Sequence, residues 1–149
     1  MKTKEILRIK GGGVLHTIAP DSLLSHALGV MVDQDIGSLV VMEHGKLVGM
    51  MTFREVLKAV YANNGSTAGL RVKETMAKPE VIGPDAEVDA LRRVMLDKHT
   101  RYMPVVEGGA VIGVLSFHDV AKAVLEEQSF ENRMLKAYIR DWPAGAGGV

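Results

Sequence analysis

The chain has 149 residues, 47% of them hydrophobic and 24% charged, the balance of a folded domain rather than a disordered segment. Eighteen Lys and Arg offset eighteen Asp and Glu, so no net field draws in nucleic acid or an anionic membrane. Cysteine is absent, which excludes disulfides, thiolate nucleophiles and cysteine-ligated zinc, and no apolar run nears the roughly 20 residues needed to span a bilayer. Met1 to Glu5 lacks the apolar core of a signal peptide, and a cytoplasmic location is expected.

Residues 3–9 read as a short helix stopped by Gly11-Gly12-Gly13, a glycine run that follows Lys10 but lacks the spacing of a phosphate-binding loop. Val14 to Ile18 reads as a strand ending at Pro20. Asp21 or Ser22 can cap a helix whose Leu24, Ala27, Leu28 and Met31 fall at i, i+3, i+4 and i+7. Ser38–Met42 and Lys46–Met51 are apolar strands joined at His44-Gly45, a tight hairpin turn. A helix over 53–61 ends at Asn63-Asn64-Gly65-Ser66, and a linker continues to about Gly69.

The order then recurs. Val72–Met76 is a short helix, Val81-Ile82 a short strand, and Pro84-Asp85 leads into a helix carrying Val88, Leu91 and Met95. Met103–Glu107 and Ala110–Leu115 form a hairpin turning at Gly108-Gly109, and a helix runs from Phe117 to about Glu127. At an offset of 64, residues 18–60 and 82–124 share fifteen identities in 43 positions, against about three expected by chance. Each copy is therefore a β-α-β-β-α unit. One such sheet cannot bury both faces alone, so the expected fold is α+β, with two units packed as a pseudo-twofold pair. The expected division is repeat 1 over 3–62, repeat 2 over 70–127, a separate C-terminal helix over 128–142 stopped at Trp142-Pro143, and a loose tail over 143–149.

Thr52-x-x-Glu55 and Ser116-x-x-Asp119 stand where a strand passes directly into a helix. Structurally, each matches a capping box, in which hydroxyl and carboxylate satisfy free backbone N–H groups. Functionally, a helix N-terminus suits anionic groups, Arg54 and His118 precede the two carboxylates, and an Asp there can accept from two vicinal hydroxyls of a ribose. The five histidines (16, 26, 44, 99, 118) show no metal-ligand spacing, so no metal is expected. No nucleophile–base set or catalytic carboxylate pair stands out, and a binding module is expected rather than an enzyme. The nine methionines read as adaptable core filler.

The pattern Pro20…Met31…Gly37-Ser38-Leu39-Val40-Val41…Gly45-Lys46-Leu47-Val48-Gly49…Thr52-x-x-Glu55 has a second copy ending Met103-Pro104-Val105-Val106…Gly113…Ser116-x-x-Asp119. Together they resemble a tandem pair of CBS domains, the modules named after cystathionine β-synthase, over roughly residues 3–127. The resemblance implies adenine-nucleotide binding in clefts shared between the halves, with AMP, ADP, ATP, NAD or S-adenosylmethionine as the ligand. It implies that Ser116 and Asp119 hold a ribose, with Thr17, Ile18, Ala19 and Ile36, Gly37, Ser38 and Leu39 as the adenine wall and Arg101 and His118 facing phosphates. The opposite cleft of Thr52, Arg54 and Glu55 is expected to borrow Val81, Ile82, Tyr102, Met103 and Pro104. Glu55 stands where the family commonly has Asp, so Asp119 is expected to hold the tighter site. The resemblance further implies a regulatory homodimer formed through 22–34, 53–61, 86–98 and 117–127, signalling to itself or to an effector protein. The alternative is a pair with degenerate sites that serves only for dimerisation.

Overall fold

A computed structural model describes residues 1–11 and 14–141, so Gly12, Gly13 and the segment 142–149, with the Trp142-Pro143 stop and the tail, lie outside the described residues. The first half contains α1 (Thr3–Lys10), β1 (Thr17–Ile18), α2 (Leu24–Asp33), β2 (Ser38–Glu43), β3 (Lys46–Thr52) and α3 (Phe53–Ala62). The second contains α4 (Val72–Thr75), α5 (Val88–Asp97), β4 (Tyr102–Glu107), β5 (Ala110–Ser116) and α6 (Phe117–Arg140).

β1 pairs in parallel with β2, and β2 antiparallel with β3, with Ser38 opposite Thr52. β4 pairs antiparallel with β5, with Tyr102 opposite Ser116. Both hairpins turn through two residues of positive φ, His44 (52°) and Gly45 (76°) in one and Gly108 (57°) and Gly109 (82°) in the other. This conformation matches the twist of the flanking strands and is cheap for glycine. Each hairpin carries a register shift at the same place, between Val41 and Met42 and between Val105 and Val106.

Two hydrophobic cores result, and they correspond residue by residue. Leu24, Met31, Leu39, Val41, Met51 and Val56 fill the first, and Val88, Met95, Met103, Val105, Leu115 and Val120 fill the second. Met31, Met51, Met95 and Met103 are all at most 2% exposed, so these methionines do fill the core. β3 and β5 lie against each other between the halves.

Four expectations are corrected. The second copy's early strand shrinks to a single parallel bridge, Ile82 to Val105, flanked by Pro79 and Pro84, which have no N–H for a ladder. The strand expected from Val14 is regular only over Thr17–Ile18, although the His16 carbonyl already accepts from Val40 N–H at 3.0 Å. The helix expected to begin at 128 is not separate: α6 runs unbroken to Arg140, because no Gly or Pro interrupts Glu126 to Ile139. The leading helices, finally, are exchanged. α1, first in sequence, places Ile6 (1% exposed) in the second core, while Val72 of α4 (0% exposed) sits in the first. Backbone bonds fix the exchange, with Thr3 N–H donating to Ala86 O at 2.9 Å and Val72 N–H to Ser22 O at 2.9 Å.

Candidate functional site

At each strand–helix junction the capping geometry forms. Ser116 N–H donates to Asp119 Oδ2 at 2.8 Å, and Asp119 N–H donates to Ser116 Oγ at 3.0 Å. In the first repeat Thr52 N–H donates to Glu55 Oε2 at 2.9 Å, the Thr52 hydroxyl also reaches that oxygen, and Arg54 N–H donates to Thr52 Oγ1 at 3.2 Å. The structural reading of these motifs is thus realised. It does not compete with the functional one, because a carboxylate has about four lone-pair sites and the cap uses only part of them.

Each junction opens into a cavity between the halves. Ser116 and Asp119 line a cavity of about 540 Å³ together with Ile36, Gly37, Ser38 and Tyr102. Thr52, Arg54 and Glu55 line one of about 460 Å³ with Thr100, Arg101 and Tyr102. A third hollow, of about 630 Å³, is lined by Arg54, His99, Arg101 and His118 at the start of α6, and among the described residues no carboxylate lines it. The Arg54 guanidinium donates to His99 O at 2.9 Å, which ties the first repeat's junction to the second repeat.

The expected wall is brought together only in part. Ile36, Gly37 and Ser38 do face Asp119, but Ile18 is 7% exposed in the first core, and Val14, Leu15 and His16 line the cavity in place of Thr17, Ile18 and Ala19. Leu39 is fully buried in that core. Arg101 and His118 meet in the third hollow rather than beside Asp119. In the opposite cleft Tyr102 takes its expected place. Met103 is a core residue, Pro104 is buried, Ile82 packs against the second core, and neither Val81 nor these three lines the cavity. For Leu39 and Met103 the reason is strand alternation: each directly follows a cleft residue, Ser38 or Tyr102, and so points into the core.

Two sets of residues were missed or misplaced. Thr100, which was not expected, and Arg101, which was expected beside Asp119, line the Thr52 cavity next to Tyr102; they stand 64 positions after Ile36 and Gly37, so the repeat offset applied to the expected wall would have placed them. Lys10 and Leu7 line the Asp119 cavity only because α1 crosses to the second repeat, which no local pattern signals. Lys10 Nζ lies 2.9 Å from Asp119 Oδ2 and donates to Val114 O at 2.7 Å. Burial alone would raise the Asp119 pKa, but the Ser116 N–H, the Lys10 ammonium and the Ser116 hydroxyl outweigh it and hold the carboxyl below the usual aspartate value.

Among the described residues no cluster of three or more His, Asp or Glu could hold a metal, and no helix is long and apolar enough to cross a membrane. A family model described as the CBS domain matches residues 14–62 and 72–126. The mitochondrial CBS domain-containing protein CBSX3 of Arabidopsis thaliana is 29% identical over 126 residues, covering 80% of this chain, which spans 61% of that relative's length. A CBS-domain-containing protein from Agrobacterium tumefaciens superposes with a TM-score of 0.76 at 29% identity, over 82% of this chain and 92% of that one. CBSX2 of Arabidopsis thaliana, solved in complex with AMP, gives 0.67 at 26% identity, over 76% of this chain and 90% of that one. With two halves that each place a helix, a hairpin and a further helix in the same order, and a family match over both copies, the chain belongs to the CBS-domain family.

Proposed function

We propose that this chain is a regulatory module that binds an adenine-containing nucleotide (AMP, ADP, ATP or NAD) and reports it by a change of shape or assembly. The observation that carries this reading is the Ser116/Asp119 junction opening into a cavity of about 540 Å³, a size suited to a small ligand. In this reading Asp119 accepts from the ribose diol and the base rests against Ile36, Gly37 and Ser38. The phosphates point toward the α6 N-terminus and the hollow lined by Arg101 and His118. The AMP complex of CBSX2 supports the same ligand class. The mechanism is a population shift, its size set by the ligand's differential affinity for the two arrangements of the halves.

The second element of the proposal is a homodimer formed through the four long helices. They expose Leu28 and Val32 on α2, Phe53, Leu57 and Tyr61 on α3, Leu96 on α5, and Phe117 and Leu125 on α6. Tyr61 is 88% exposed and Leu57 70%, large apolar side chains that a second copy would cover. Light scattering is expected to return twice the 16.1 kDa chain mass, and a value of one chain mass with and without nucleotide would remove this element.

Thermal unfolding with a nucleotide panel tests the main reading. Adenine nucleotides are expected to raise the midpoint more than guanine or pyrimidine nucleotides, a stabilisation of about 2.7 kcal/mol at one hundred times Kd. Mass spectrometry of molecules released from the purified protein then identifies the ligand. If no adenosine-bearing compound shifts the midpoint, sensing is excluded and the pair serves for dimerisation only.

A further inference from the structure

The two leading helices follow the same course until they reach the clefts, and there they part. Lys4 N–H donates to Pro84 O at 2.9 Å, as Lys73 N–H donates to Pro20 O at 2.8 Å. Lys4 pairs with Asp85 at 3.1 Å, as Lys73 pairs with Asp21 at 2.9 Å. Leu7 lies over Gly113 as Met76 lies over Gly49. Beyond Met76, α4 has ended, and Ala77 exchanges backbone bonds with Met50 at 2.9 and 3.0 Å, closing the edge of β3. α1 instead continues past Leu7 to Lys10. The corresponding edge carbonyl, Val114 O, therefore receives the Lys10 ammonium, and the same ammonium reaches Asp119.

We propose that Lys10 is a built-in competitor for the Asp119 carboxylate, so that a ribose entering this cavity must displace the last turn of α1. The proposal rests on the nucleotide reading above. A diol that bridges both carboxylate oxygens meets Lys10 at Oδ2, the oxygen that also accepts from Ser116 N–H. The displaced group is a half-exposed ammonium that water can solvate, its side chain 38% exposed. It sits at the C-terminal end of α1, where the chain turns away through Gly11 at φ 83°. The other end of α1 is held by Thr3, Lys4 and Ile6, so displacement is confined to the final turn. Because α1 packs on α6 and β5, loosening its final turn converts occupancy of the cavity into a change on the protein's surface. The opposite cleft has no counterpart, since Glu55 accepts only from Thr52 among the described residues.

Titration calorimetry with AMP on the wild type, Lys10→Met and Lys10→Met/Asp119→Ala tests this. Methionine keeps an unbranched stem for packing and removes the charge. Lys10→Met is expected to bind AMP roughly tenfold more tightly, with the gain absent when Asp119 is also replaced. Hydrogen exchange at residues 8–11 of the wild type is expected to quicken when AMP saturates it. If AMP binds the wild type and Lys10→Met equally, or the variant more weakly, or if AMP slows exchange at 8–11, Lys10 is no competitor while nucleotide binding stands. If AMP binds none of the three, the nucleotide reading fails and the competitor role falls with it.

Discussion

The two strand–helix junctions are built alike and furnished differently. Both end a strand with a hydroxyl residue, both cap a helix with the carboxylate three positions on, and both face a cavity between the halves. The cores behind them match at an offset of 64, but the cleft walls do not. Ile36, Gly37 and Ser38 on one side correspond to Thr100, Arg101 and Tyr102 on the other. The mismatch is reciprocal, because a Cβ on Gly37 would stand 1.8 Å from the Tyr102 hydroxyl oxygen. Tyr102 fills the room that Gly37 leaves, and it lines both cavities. Packing holds the two cores to one plan, whereas the clefts are free to differ in charge and shape.

The carboxylates are where the two clefts are expected to differ most. In the proposed ligand-bound state Asp119→Ala is expected to lower AMP affinity ten- to a hundredfold, the loss of about 1.5–3 kcal/mol for hydrogen bonds to a charged group. Glu55→Ala is expected to do less, since its carboxylate stands one methylene farther from the backbone. Calorimetry on both variants decides, and a greater loss from Glu55→Ala would reverse the ranking of the clefts.

The strand glycines beneath the leading helices also differ. At Gly49 an added Cβ would meet Met76 Sδ at 2.5 Å and Cβ at 3.1 Å, whereas at Gly113 the nearest atom is a Leu7 methyl at 2.8 Å. A leucine tip can swing, but a Cβ moves only with its backbone. Gly49→Ala is expected to cost about 1–3 kcal/mol and Gly113→Ala less, read from urea midpoints. Thr52→Ala and Ser116→Ala are each expected to cost about 1 kcal/mol, and nearly equally, because both hydroxyls accept an N-terminal N–H.

A titration follows from Asp119. Its folded pKa lies below the usual value of 3.8, so the stability it contributes is present above that value and is lost as pH falls through the folded one. The unfolding free-energy difference between wild type and Asp119→Asn should therefore stay level from about pH 7 to about pH 5 and shrink in more acid solution. A difference that instead grows on acidification would contradict the Lys10 and Ser116 contacts. Smallest of all, Lys4→Ala and Lys73→Ala remove equivalent exposed ion pairs and are each expected to leave the denaturant midpoint nearly unchanged.

Much of this protein was legible in the residues themselves. Helical spacing at Leu24, Ala27 and Met31, turn chemistry at His44-Gly45 and Gly108-Gly109, and the 64-residue echo suffice for both hairpins, the helices that follow them, the duplication and the two junctions. These features are local or repeat at a constant offset, so their signals survive in one dimension. Tertiary structure alone decided the exchange of α1 and α4, the partial cleft walls and the contact of Lys10 with Asp119. α1 carries an apolar face that would suit either core. Its choice depends on backbone partners at Pro84 and Ala86, some 80 residues away, and on the unbroken turn that brings Lys10 to β5. Such pairings arise only when the two halves close on each other, and no short-range pattern encodes them.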